Sequence, residues 1–368
     1  MLDLYDNSNQ DHLPVISEKE LSDEAVLVEL QQLKEELKDE VIVLGHHYQQ
    51  DDIISFADYT GDSLQLAKVA GTLSHKYIVF CGVHFMAETA DMLTRPDQVV
   101  ILPDLNAGCS MADMANRREI DRAWDYLKAS TNESIIPITY INCSALLKDF
   151  VGSHEGAICT SSNAEKIIKW ALEQGEKLLF FPDQHLGRNT CFKLGIKLEE
   201  MVVYNPNLQN GGLTPEQIQK AKVILWYGYC SVHQGFNAEQ VRQIKKNSPE
   251  TTVIVHPECP FEVVQAADDA GSTSYIIDVI KKAEAGKSFA VGTEINLVNR
   301  LASEFPHLKI TSLSPYQCLC TTMYRVRPRW LLETFRSLKR KKPINIISIS
   351  EEVKNNSLKA LDRMLKIS

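Results

Sequence analysis

One plan recurs three times along this chain, and a repeated plan restricts a fold more than any single motif. It is clearest at residues 252–277, TVIVHPECPFEVVQAADDAGSTSYII. The β-branched run Val253, Ile254 and Val255 reads as a buried strand, closed by a turn with Pro257 and Pro260. His256 and Glu258 follow two residues apart, so extended chain would send both side chains the same way. Fifteen residues beyond Glu258 stands Thr273, in Gly271-Ser272-Thr273, ahead of a helix expected over 275–285. Free backbone N–H groups at such a helix start attract anions.

The second occurrence has a strand at 41–44, then His46 and Tyr48, and fifteen residues later Ser63 in Gly61-Asp62-Ser63. The third has a strand at 135–138, then Tyr140 and Asn142, and nineteen residues later Ser161 in Thr160-Ser161-Ser162. Ser162 and Glu165 also have the spacing of a helix capping box. Each unit then delivers a cysteine: Cys109 in NAGCSM, Cys230 in YGYCSVH, and Cys318 or Cys320 in QCLCTTM. From the first member of each polar pair to its cysteine is 63, 90 and 64 residues, taking Cys320. Three similar modules meeting at one central site account for this order most economically.

A chain of 368 residues suits two or three domains of ~100–150 residues each. Its formal charge of −9 argues against general nucleic-acid binding. Without a long apolar run or a secretory leader, the expectation is a soluble, cytoplasmic protein with no membrane partner. Nine cysteines, an odd number, speak for thiols and metal ligands rather than a disulfide framework. Residues 1–16 carry no pattern. Ser17 and Glu20 form a capping box before the amphipathic series Val26, Leu27, Leu30, Leu33 and Leu37.

Among the polar candidates, His46 and Tyr48 share one side, whereas His47 reads as a hydrogen-bonding partner of nearby backbone. Cys109, exposed by a tight turn before a helix, would favour the thiolate. Cys81 and Cys143 read as core, and Cys259 is expected to face away from Glu258 and His256. Asp183, His185 and Arg188 follow a strand at 178–181, where function gathers in parallel α/β sheets. Cys230 and His233 could be half a zinc site, but no matching pair completes it. No Gly-x-Gly-x-x-Gly or Walker sequence is present.

Single cysteines from three modules can converge only on a shared axis. Three thiolates fit a four-iron cluster with one iron free of protein better than a closed zinc site. An open iron is a Lewis acid, and the helix starts suit a substrate with several carboxylate or phosphate groups. Two other classes compete: a cluster-bearing redox sensor, and a zinc hydrolase using His46, His84, His233 or His256. Neither needs three polar pairs together with three anion cradles.

The blocks GHHYQQDDIISFADYTGDSLQLAK, NAGCSMADM, YINCSA, TSSNA, FPDQHLGRN, GYCSVH, HPECP with AGST, GTEINLVNR and the final Cys-x-x-Met resemble, in this order, the quinolinate synthase family. The resemblance covers residues 41–323. It implies an α/β protein of three homologous α/β/α sandwich domains, in pseudo-threefold arrangement around a [4Fe-4S] cluster. The domains would be 1–114, 115–234 and 235–320, with 321–368 packing back on the first. Cluster ligands would be Cys109, Cys230 and Cys320, the last because Met323 follows at the family spacing.

Substrate binders would be His46, Ser63, Tyr140, Asn142, Ser161 or Ser162, His256, Glu258 and Thr273. Tyr48 and Glu258 would carry protons, with His46 and His256 assisting. The implied reaction condenses iminoaspartate with dihydroxyacetone phosphate to quinolinate in NAD biosynthesis, with an L-aspartate oxidase as the coupled supplier of iminoaspartate. Gln234 stands where the family commonly has Glu, and Tyr324 where it commonly has Lys.

Overall fold

The computed structural model describes residues 21–316 and 319–367, so the tail at 1–16, the Ser17 and Glu20 box and Cys318 lie outside the described residues. The first described helix, Asp23–Leu37, starts with Ser22 as its cap, the hydroxyl accepting the Ala25 N–H at 3.2 Å. It buries Val26, Leu30 and Leu33 on one face.

The apolar runs form the strands. The first repeat supplies β1 (Val41–His46), β2 (Tyr59–Gly61), β3 (Tyr77–Cys81) and β4 (Val99–Ile101). The second supplies β5 (Ile135–Tyr140), β6 (Ala157–Cys159), β7 (Lys177–Phe181), β8 (Met201–Tyr204) and β9 (Val223–Trp226). The third supplies β10 (Thr252–Val255), β11 (Asp269–Ala270), β12 (Ser288–Gly292) and β13 (Lys309–Ser312). A last short strand is β14 (Ile346–Ile347).

Each repeat builds its own parallel sheet with the same order: β2-β1-β3-β4, β6-β5-β7-β9 and β11-β10-β12-β13. The second sheet gains β8 beside β9, and the first gains β14 antiparallel to β4. Helices join successive parallel strands and cover the sheets, which is why β1, β3, β7 and β9 are buried along their whole length. The chain is therefore α/β, with sheets sandwiched between helices. In this strand order the connections leave the first strand in opposite directions, and the crevice they open lies at the carboxyl ends of the first and third strands. The polar pairs of the sequence sit at those ends.

After the third repeat the chain returns to the first two. Helix Pro328–Lys339 packs on Asp23–Leu37, with Arg336 making two bonds to Glu29 at 2.7 and 2.6 Å. Helix Glu351–Ile367 lies along Ala145–Ser153 of the second repeat. There the backbone of Asn356 comes so close that a Cβ at Gly152 would stand 1.9 Å from its carbonyl oxygen.

Candidate active site at the meeting of the three repeats

His46 ends β1 and is 4% exposed; His256 follows β10 and is 2% exposed. The residues after them do not continue as extended chain. Each turns back, so that the Tyr48 N–H donates to His46 Nδ1 at 3.1 Å and the Glu258 N–H donates to His256 Nδ1 at 3.3 Å. The pairs keep to one side because of this turn, not because of strand alternation. A ring nitrogen that accepts a backbone N–H carries no hydrogen there, so each neutral imidazole has its hydrogen on Nε2. Burial lowers both rings to about 3, which makes them neutral donors at ordinary pH. Burial also lowers His47, to about 4, and its ring bonds the Gln65 side chain rather than nearby backbone.

A continuous set of hydrogen bonds then crosses all three repeats. The Tyr48 hydroxyl lies 2.8 Å from Thr273 Oγ1 and 2.8 Å from Thr293 Oγ1. Thr293 Oγ1 lies 3.0 Å from His233 Nε2, and His233 Nδ1 is 2.9 Å from Glu258 Oε2. His233 stacks on His256 at 4.5 Å between ring centres. Tyr140 bonds Glu258 as well.

Burial works against the Glu258 charge, yet the neighbouring His256 and His233 and the bonds from His233 and Tyr140 more than offset it, holding the carboxyl at about 2. With His256 neutral above about pH 3, its charge gives no support at neutral pH, whereas the hydrogen bonds from His233 and Tyr140 remain. Asp183, fully buried at the start of helix Gln184–Lys193, has the opposite character. Burial and then the charge of Glu258 push its carboxyl well above the usual range. Its Oδ1 accepts the Leu186 N–H at 2.7 Å, while Oδ2 has no protein partner. Two neighbouring carboxyl groups are thus pushed in opposite directions, the kind of setting that separates an acid from a base in one site.

The hydroxyl residues begin helices in two repeats. Ser63 is the first residue of Ser63–Ala70, capped by Asp62, and Thr273 the first of Thr273–Lys281, capped by Ser272. The second repeat differs: its helix starts at Ala164, and Ser161 and Ser162 stand in the turn ahead of it. Asn163 makes that turn by accepting the Thr160 N–H at 2.7 Å. Ser162 does not cap the helix; its hydroxyl donates to Asp62 Oδ2 at 3.4 Å. Ser274 donates to the same oxygen, so one carboxylate ties the three helix starts together. Asn142, half-buried after β5, keeps its Oδ1 buried without a protein partner, an acceptor left for a ligand.

The cysteines occupy one turn built three times. The carbonyls of Cys109, Cys230 and Cys320 accept the N–H groups of Asp113, Gln234 and Tyr324 at 3.1, 2.9 and 3.0 Å. A short 3₁₀ turn follows each, at Ala112–Met114, His233–Gly235 and Met323–Arg325. All three thiols are half-buried and interact: Cys320 raises the pKa of Cys109, and both raise that of Cys230. Burial pushes the Cys109 thiol up to about 12 when no metal is bound, against the preference for the thiolate expected at a helix start. Burial raises Cys230 and Cys320 too. Glu294, fully buried, accepts the Cys320 N–H at 3.3 Å while capping helix Ile295–Glu304 through Asn296 at 2.7 Å.

Cys81 and Cys143 are fully buried in the core, as their positions in the sequence indicated, and Cys259 is buried with them. Cys230, His233 and Glu258 also have ligand atoms within 4.8 Å of one another. Both ring nitrogens of His233 are already engaged, by Glu258 and Thr293, which leaves that histidine no lone pair for a metal in this arrangement. Three thiols of one geometry, from three repeats, fit a cluster held by cysteines better than a closed site at His233. Sequence reasoning did not find the roles of Thr293 and Glu294, although they follow β12 as Pro182 and Asp183 follow β7, with Glu294 and Asp183 each capping the next helix. Aligning the ends of the third strands would have marked them.

A threefold α/β scaffold that gathers carboxylate, imidazole, phenol and thiol groups at its strand ends has the layout of an enzyme for small polar substrates. The family model described as Quinolinate synthetase A protein matches residues 28–366. The chain is 51% identical over 351 residues to the quinolinate synthase of Anoxybacillus flavithermus, covering 94% of this chain and 95% of that one. It is 49% identical to that of Corynebacterium glutamicum, covering 94% and 88%, and 48% identical to that of Bacillus anthracis, covering 94% of each. The chain belongs to the quinolinate synthase family. No helix among the described residues is long and apolar enough to cross a membrane.

Proposed function

We propose that this enzyme condenses iminoaspartate with dihydroxyacetone phosphate, releasing quinolinate, phosphate and two waters, as a step of NAD biosynthesis. Cys109, Cys230 and Cys320 would hold a [4Fe-4S] cluster, which when bound supplies a Lewis acid at the iron that no protein residue ligates. The helix starts at Ser63 and Thr273, with Ser161 or Ser162 in the turn of the second repeat, bind the phosphate and carboxylates. His46 and His256 present Nε2–H groups that orient carboxylate oxygens. Tyr140 and Asn142 position the substrate, Glu258 accepts protons as a carboxylate, and Tyr48 exchanges them as a phenol. Imines hydrolyse in water, so this reading pairs the chain with an L-aspartate oxidase in the cytoplasm as the source of iminoaspartate.

The observation that carries this reading is the cysteine turn repeated three times beside one buried carboxylate. Its test is anaerobic purification, iron analysis and an assay with the two substrates. A brown protein that forms quinolinate is expected, with Cys320→Ser losing iron and product together. A colourless zinc protein of full activity, or a Cys320→Ser variant that keeps its iron, would refute the cluster assignment.

A further inference from the structure

We propose that Glu88, Asn189 and Arg300 are positioning residues, one from each repeat, each holding the active-site turn of the next repeat in a closed ring. The proposal rests on the roles given above to Tyr48, Asn142 and Glu258. The three come from equivalent helices, the ones that follow β3, β7 and β12: His84–Leu93, Gln184–Lys193 and Ile295–Glu304. Glu88 is the fifth residue of its helix, and Asn189 and Arg300 are the sixth of theirs.

The third repeat holds the turn of the first. Arg300 donates from Nη1 to the His47 carbonyl at 2.9 Å and from Nη2 to the Gln49 carbonyl, while Nε pairs with the exposed Asp51 at 2.6 Å. Asn296, one helical turn earlier, donates to the Tyr48 carbonyl at 3.1 Å. Three successive carbonyls therefore face one helix. The second repeat holds the turn of the third: Asn189 spends both amide hydrogens, on the carbonyls of Pro257 at 2.8 Å and Cys259 at 2.9 Å. Its Oδ1 is buried without a protein partner, so the amide is used for its donors alone. The first repeat holds the turn of the second. Ser144 makes no side-chain bond at the start of helix Ala145–Ser153, and the buried Glu88 supplies the acceptor instead, taking the Ala145 N–H at 3.0 Å.

These anchors lie on both sides of Tyr48 and Glu258, and just beyond Asn142. The two peptide planes that flank a Cα set the direction of its side chain. A carbonyl held by a buried donor cannot swing away without leaving polar atoms unpaired. Tyr48 is thus fixed at both ends by the third repeat, its hydroxyl by Thr273 and Thr293 and its backbone by Asn296 and Arg300. Arg300, Asn189 and Glu88 touch no reacting atom; they act through the residues whose turns they hold.

The test uses the cluster-loaded enzyme with Arg300→Met and Asn189→Leu, which remove the donors at similar side-chain volume. Hydrogen–deuterium exchange of the backbone amides is read by peptide mass. Arg300→Met should speed exchange at least about tenfold in residues 46–51 and leave 256–259 at the wild-type rate. Asn189→Leu should do the reverse, and Glu88→Leu should act on 141–145 alone. With wild-type turnover of iminoaspartate and dihydroxyacetone phosphate present, Arg300→Met and Asn189→Leu should each lower kcat about a hundredfold, the cost of misplacing a reacting group by about 1 Å. KM should change less than about threefold, and iron content should stay at the wild-type level. Added to Tyr48→Phe, Arg300→Met should cost less than about twofold further, because its effect passes through Tyr48.

Exchange that is unchanged, or raised equally in all three turns, overturns the ring. So does a kcat loss from Arg300→Met that is the same size with and without Tyr48→Phe. A wild-type enzyme without turnover overturns the functional reading instead, and exchange still decides the ring. Where Arg300→Met does not fold, Asn296→Ala, which removes a single bond at a half-buried site, should give the same pattern of exchange.

Discussion

Asp183 and Glu258 are both carboxyl groups closed off from solvent, and their surroundings divide them. Glu258 has hydrogen-bond donors aimed at its charge, whereas Asp183 has burial and a like charge against it. Substitution by the neutral isostere should separate them. Glu258→Gln should bind substrate and lose at least about a hundredfold in kcat, as expected for a proton carrier. Asp183→Asn removes a carboxyl whose charge burial and Glu258 disfavour and keeps the Leu186 cap, so its urea unfolding free energy should move by less than about 1 kcal/mol. Titrations of both variants in urea, with steady-state assays, decide the matter. A destabilised Asp183→Asn together with a fully active Glu258→Gln would reverse the assignment. Glu258, Tyr48 and His256 were legible in the sequence because strand ends announce themselves through apolar runs. Thr293 was not: its partners lie 245 and 60 residues away, and spacing along a chain says nothing about contacts across repeats.

At the scale of elements, the core strands were read within two residues of their ends, 41–44 against Val41–His46 and 77–80 against Tyr77–Cys81. Buried parallel strands are long apolar runs, and such runs have few other uses. The edge strands β2, β6 and β11 went unread, since two or three residues leave no pattern to detect. The start of helix Ala164–Gln174 was placed too early because several hydroxyl residues compete for one turn and Asn163 prevails. Helix contacts are read least well, since they depend on which small residue allows close approach. Gly152 is that residue where Glu351–Ile367 crosses Ala145–Ser153. Gly152→Ala should therefore lower stability by about 1–3 kcal/mol through overpacking, despite the better helix propensity of alanine. Equilibrium unfolding in urea measures this, and an unchanged or raised midpoint would show that the two helices can move apart without cost.

Across the whole molecule, stability should depend on pH in a direction set by buried imidazoles. His46 and His256, at about 3, and His47, at about 4, stay neutral in the fold, while in the unfolded chain they take up protons below about 6.5. Between those limits the unfolded state binds more protons, so stability rises with pH and is lost as pH falls from about 6.5 towards 4. Glu294 opposes this trend, since burial raises its carboxyl to about 7 and the fold keeps a proton that the unfolded chain has released. Replacing His256 by Gln should flatten the loss between pH 5 and 6 by about 1.4 kcal/mol per pH unit. Parallel curves for variant and wild type, measured by urea unfolding across that range, would rule out the assigned neutral ring.

Enclosure of Cys109, Cys230 and Cys320 extends beyond catalysis, to the history of each molecule between synthesis and first turnover. Sulfur that keeps its hydrogen is a poor nucleophile, so burial of these thiols should slow their reaction with peroxide and mixed disulfides before any metal binds. Binding of the proposed cluster would then expel three hydrogen ions, and maturation should quicken in alkaline medium and acidify an unbuffered solution.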